Sequence, residues 1–197
     1  MGKQTENSKN KSSKKMIIVI LIVAVFSSLF IWNKYVENAQ IKNFKIPESS
    51  NIEYDIHSPS ALAPGDIISQ IDLDSGKPIL LYIYTSWCGV CKKETPIINE
   101  IARKFQNTDL KVIAVAIDKN FTAENLANYL NDFGKIYFKP SYLIHSDGLA
   151  DLLKQKSINY NRRIPLVVTI SKDGEVTSSS TGYKSEEFVT KKIIKML

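Results

Sequence analysis

The sequence predicts an α/β protein with a central mixed sheet flanked by helices, behind an N-terminal transmembrane helix. Three observations carry that expectation. Short apolar, β-rich runs recur at Ile79–Tyr84 (ILLYIY), 112–117 (VIAVAI) and Leu166–Ile170 (LVVTI). Stretches with helical spacing lie between them. Residues 16–32 form a seventeen-residue run without a charge.

The uncharged run comes first in the chain. At about 1.5 Å per residue it extends about 26 Å, near the lower limit for a bilayer core. Lys15 and Lys34 can snorkel to make up the difference. A soluble helix would not be apolar on every face. A cleaved leader is the competing reading, but a cleavage site wants two small residues, and Ala39 has Glu37 two positions before it. An uncleaved anchor at 16–33 is therefore expected. The chain's net charge is +6. Lys3, Lys9, Lys11, Lys14 and Lys15 against Glu6 put +4 of it before Met16. That asymmetry predicts a cytoplasmic N-terminal tail (1–15) and places everything after Trp32 across the membrane. It also leaves the rest of the chain without a basic face, which argues against nucleic acid as a partner.

The tail is polar and rich in Lys, Ser and Asn, and no structure is expected there. Residues 34–56 read as a stalk, and 57–197 as one globular domain of ordinary size. In that domain Ile79–Tyr84 is continuously apolar, as for a strand buried on both faces. A helix follows from Gly89 to about Phe105, with Ile97, Ile98, Ile101 and Phe105 on one side. After the strand at 112–117 comes a helix at 123–133, capped by Thr122 and stopped at Gly134. A short strand at 141–145 and a helix at 149–156 precede the strand Leu166–Ile170. Asp173-Gly174 signals a hairpin into a strand at 175–181. The last helix, 186–196, has Glu186 and Glu187 at its start and Lys191, Lys192 and Lys195 at its end, as its dipole favours.

The only two cysteines are Cys88 and Cys91. A pair this close closes almost no loop and adds little stability, so its value is chemical. It sits where a buried strand hands over to a helix. Free N–H groups and the helix dipole there stabilise a thiolate, the attacking species. Cys88 is expected at the first exposed position of the helix, with Cys91 one turn on and facing inward. A zinc site needs about four Cys or His ligands, and only His57 and His145 could add to the pair. No metal and no cofactor beyond the cysteine pair are expected.

Trp87-Cys88-Gly89-Val90-Cys91 after a buried strand, with Pro96 five residues beyond Cys91, resembles the thioredoxin superfamily. In that family the proline kinks the active-site helix. Ile164-Pro165 before the strand Leu166–Ile170 is a second match, and Gly182 is a third. The resemblance implies a cis Pro165 lying against the cysteines and an Ile164 backbone that bonds to substrate beside Trp87. Glu94, three residues after Cys91, narrows the match to the membrane-anchored branch that includes ResA, TlpA and the cytochrome c maturation thioredoxins. There the acid sits near the buried cysteine and tunes proton transfer. The extra strand and helix at about 141–156 also fit that branch.

The resemblance implies a thiol–disulfide oxidoreductase on the outer side of a bacterial cytoplasmic membrane. Its substrate would be a disulfide in an exported protein, apocytochrome c being the branch's best-known target. Its electrons would come from a membrane donor of the DsbD or CcdA type, and the lipid bilayer would hold it. Two features depart from plain thioredoxin: Tyr82 stands where a buried aspartate is usual, and the spacer is Gly89-Val90, which leaves the redox poise open. An anchored copper chaperone of the Sco type is the alternative. Those proteins carry three residues between their cysteines and a later histidine ligand. No Pro-x-x-x-Thr-x-x-Cys peroxiredoxin motif is present.

Overall fold

A computed structural model describes residues 5–74 and 76–197. The chain divides into two units, residues 1–44 and 45–197.

The first unit is one helix, α1 (Thr5–Asn43). Its stretch Met16–Asn43 is long and apolar enough to cross a membrane. Side chains from Met16 to Trp32 are exposed all around it, a surface that suits lipid better than water. The helix outruns the uncharged span at both ends. Residues from Thr5 on, expected to lack structure, are helical, and so is the first part of the expected stalk. No glycine or proline interrupts 5–43, so a helix nucleated in the apolar run propagates through the flanks. Residues 1–4 of the expected tail lie outside the described residues.

The second unit begins at Lys45, ahead of the expected boundary at 57. Residues 48–55 lie along it. Ser49 Oγ donates to the Arg103 carbonyl at 2.6 Å, the Ile52 N–H donates to Gln106 Oε1 at 3.0 Å, and the Tyr54 N–H donates to the Ile136 carbonyl at 2.8 Å. The elements then run β1 (Ser60–Leu62), α2 (Pro64–Leu73), β2 (Ile79–Tyr84), α3 (Gly89–Lys104), β3 (Lys111–Ala116), α4 (Ala123–Asn131), β4 (Pro140–Leu143), α5 (Leu149–Gln155), β5 (Leu166–Ile170), β6 (Val176–Thr181) and α6 (Glu186–Ile194). β2 and β5 fall where the apolar runs put them, and the others shift by a few residues at most. β1 and α2 were not expected. β1 is too short to show a pattern. The Pro64-Gly65 opening of α2 reads as a turn, but Pro is favoured in a first helical turn, and the Asp66 carboxylate accepts the Ala63 N–H at 2.7 Å.

The strands form one mixed sheet in the order β1-β4-β3-β2-β5-β6. β2 runs parallel to β3 and antiparallel to β5, and β4 is parallel to β3 and β1. β2 is buried along its whole length, so alternate side chains serve two cores. Ile79, Leu81 and Ile83 join Ile67, Ile71, Leu149 and Leu153 of α2 and α5 on one face. Tyr82 and Tyr84 point to the other face, where Tyr82 meets α3 and Tyr84 stacks on Tyr129 of α4. The C-terminal ends of β2, β3 and β6 and the N-terminal end of β5 share one edge of the sheet. The candidate site lies there.

Candidate active site

β2 ends at Tyr84, and a three-residue bend, Thr85-Ser86-Trp87, turns the chain into α3. Asp118, just past β3, holds this bend. The Ser86 N–H reaches both of its carboxylate oxygens at 3.0 Å, and Ser86 Oγ donates to Oδ1 at 2.6 Å. Cys88 then caps α3. Its backbone is extended, and its sulfur accepts the Cys91 N–H at 3.1 Å. A sulfur placed on a free N–H at a helix start is stabilised as a thiolate.

The two sulfurs are bonded to each other, with the Cα atoms 5.1 Å apart, a usual Cα separation for a disulfide. Cys91 is wholly buried, as expected. Cys88 corrects the expectation of an exposed first helical residue: it is the N-cap and only 8% exposed. The bend folds its side chain back over the helix end, and the residues that face solvent are its neighbours Trp87 (73%) and Val90 (42%).

The Ile164–Pro165 peptide is cis. Pro165 is buried and Ile164 half-buried. Gly182, at a positive φ that suits glycine, donates its N–H to the Pro165 carbonyl at 3.0 Å. Two residues on, the Lys184 N–H donates to Glu94 Oε1 at 2.7 Å. The turn between β6 and α6 thus contacts both the proline and the acid.

Glu94 lies one turn after Cys91 on the inner side of α3 and is completely buried. Burial pushes its carboxyl up to about 7, against the hydrogen bond and the charge of Lys184, which pull it down. Its second oxygen, Oε2, has no hydrogen-bond partner. Among the described residues, the other buried side-chain oxygens without partners are the Tyr84 hydroxyl and Thr85 Oγ1, in the same strand and bend.

Sequence reasoning placed Trp87, Cys88, Cys91, Glu94 and the Ile164–Pro165 pair, and all lie at this edge of the sheet. It missed Asp118, Thr95, Tyr129 and the Lys184 amide. An acid directly after a buried strand was the available signal for Asp118. Backbone groups such as the Lys184 N–H carry no side-chain signature. Among the described residues, no group of three or more His, Cys, Asp or Glu side chains is placed to hold a metal ion.

Protein disulfide isomerase-like 1-1 of Arabidopsis thaliana is 33% identical over 111 residues, which cover 55% of this chain and 21% of that protein. The thiol-disulfide oxidoreductase ResA of Bacillus anthracis is 27% identical over 116 residues, which cover 57% of this chain and 59% of ResA. The chain thus spans less than two thirds of the length of these curated relatives. Among solved structures, a thioredoxin family thiol:disulfide interchange protein from Chlorobium tepidum superposes with a TM-score of 0.53 at 18% identity. That match covers 64% of this chain and 83% of the other, and it bears on the fold. The Redoxin family profile matches residues 39–195, and the chain belongs to the Redoxin family, with a thioredoxin-like fold.

Proposed function

We propose that the chain is a membrane-anchored thiol–disulfide oxidoreductase that reduces disulfides in exported proteins through Cys88 and Cys91. The observation that carries this reading is the Cys88–Cys91 disulfide at the start of α3, with Cys88 at the helix N-cap beside the exposed Trp87 and Cys91 wholly buried one turn on. In its reduced form, the Cys88 thiolate attacks a substrate disulfide, and one substrate sulfur leaves with the bonding electrons. The Cys91 thiolate then attacks Cys88 Sγ, the Cys88–Cys91 bond forms, and the second substrate sulfur leaves and takes up a proton. The substrate gains two electrons and the pair loses two. Glu94 accepts the Cys91 proton in the second step, a role suited to a carboxyl poised near neutrality. Trp87 and the Ile164 backbone receive the substrate chain beside Cys88.

The apolar helix α1 and the lysines before Met16 support an anchor with the domain on the outer side. There disulfides persist and the pair must be re-reduced through the membrane, by a donor of the DsbD or CcdA type. Apocytochrome c is one substrate to assay. The purified chain should reduce insulin disulfides with dithiothreitol as electron source. Cys88→Ser should abolish this, and Cys91→Ser should accumulate mixed disulfides. Tight Cu(I) binding with no thiol exchange would instead favour a copper carrier and overturn the reading.

A further inference from the structure

Beneath the disulfide runs a chain of three hydroxyls. Tyr82, in the middle of β2, is completely buried, and its O–H donates to the Cys91 carbonyl at 3.3 Å. Its oxygen lies 3.1 Å from Thr95 Oγ1, which lies 2.9 Å from the Tyr129 hydroxyl. Each hydroxyl has one proton. With the Tyr82 proton on the Cys91 carbonyl, Thr95 must donate to Tyr82, and Tyr129 must donate to Thr95. The direction is therefore fixed from α4, through α3, to the backbone of Cys91. Linked donors of this kind polarise one another. The rings are held as well: Tyr82 stacks on Tyr84 at 4.9 Å, and Tyr84 on Tyr129 at 5.7 Å.

The target of this chain lies in the stretch of α3 that precedes Pro96. Pro96 lies inside the helix and has no N–H, so the Lys92 carbonyl loses its helical partner. The first turns, which carry both cysteines, need support from elsewhere. Cys91 is gripped at both ends of its backbone: its N–H points at Cys88 Sγ, and its carbonyl takes the Tyr82 proton.

Resting on the redox reading of the pair, we propose that Tyr82 is a positioning residue for Cys91. Backed by Thr95 and Tyr129, it orients the buried cysteine for closure onto Cys88. Burial pushes the Tyr82 phenol far above its ordinary range, so it remains a donor throughout neutral pH. An aspartate in its place would instead add a second titrating acid beside Glu94.

Tyr82→Phe removes the proton and keeps the ring. One lost hydrogen bond of this kind corresponds to about tenfold in closure. Two readouts follow. In single-turnover quenching with a disulfide-bonded peptide, mixed-disulfide formation by Cys88 should stay within about twofold, while its resolution by Cys91 slows about tenfold. At equilibrium with dithiothreitol, the pair should become more oxidising by about 30 mV, the same tenfold converted for two electrons. Thr95→Val should act in the same direction, and Thr95→Ser, which keeps the hydroxyl, should restore wild-type behaviour. That pair carries the test if Tyr82→Phe fails to fold. An unchanged potential in Tyr82→Phe and Thr95→Val would overturn the proposal, and so would equal slowing of both steps. The equilibrium needs no protein substrate, so it stands apart from failure of the insulin assay, which would count against the proposed function.

Discussion

Lys184 and Glu94 are 90 residues apart in the chain and joined by a 2.7 Å hydrogen bond from the Lys184 N–H to Glu94 Oε1. That bond holds an acid in a fully buried place, and the acid's titration follows. Below its ordinary value of 4.5 the carboxyl is protonated in both folded and unfolded chains, and it costs nothing. Between 4.5 and about 7 the unfolded chain loses the proton and the folded one keeps it. The unfolded state then binds fewer protons, so stability falls as pH rises, by about 3 kcal/mol in total. Above about 7 that loss is complete and constant.

Glu94→Gln keeps an acceptor for Lys184 and removes the titration. Urea unfolding of the oxidised protein should show the variant gaining about 3 kcal/mol on wild type between pH 4.5 and 8. Parallel stabilities across that range would sink the assignment. Resolution by Cys91 should also rise through pH 7 in wild type and lose that rise in the variant.

Asp118 holds the bend that delivers Trp87 and Cys88. Asp118→Ala leaves the Ser86 N–H without its partners and should lower stability by about 2 kcal/mol. Thiol exchange should slow as the bend loosens. Asp118→Asn retains one carbonyl acceptor and should lose less. Denaturant midpoints and insulin reduction rates read both effects, and an unchanged Asp118→Ala protein would show that the bend stands without the carboxylate.

Gly182 meets Pro165 from a backbone with φ +75°, and a Cβ there would contact nothing within 4 Å. Gly182→Ala therefore isolates the backbone penalty of the left-handed conformation, about 1–2 kcal/mol. A thermal or urea midpoint measures it, and no loss would mean that the turn adapts.

Trp87 is the most exposed large side chain beside the cysteines. Trp87→Ala should leave stability within about 0.5 kcal/mol. Exchange with an unfolded protein should weaken through KM, while exchange with a small disulfide stays near wild type. Equal loss on both substrates would move the effect from binding to the cysteine itself.

The legible parts of the sequence were those where one physical demand dominates. β2 and β5 are buried on both faces, so ILLYIY and LVVTI could only be interior strands. Cys88, Cys91 and Pro165 stood out because each residue type has few other reasons to sit in that pattern. β1 was hidden because three residues at a sheet edge are too few to carry a period. The segment 48–55 was hidden because polar contacts to Arg103, Gln106 and Ile136 bind it, and these leave no hydrophobic pattern. Tyr82 was visible only as the absence of an aspartate. Its bonds to Cys91 and Thr95 depend on how β2 lies under α3, which spacing alone does not give.

Trp87 has one more property. The chain has two tryptophans, and the other, Trp32, belongs to α1. An indole bonded in sequence to a cystine half is a light source next to a quencher. The molecule carries its own optical gauge: the Trp87 emission should brighten as the disulfide opens. Redox titrations can then be followed on the unlabelled protein, in a bilayer or in detergent, without drawing a sample.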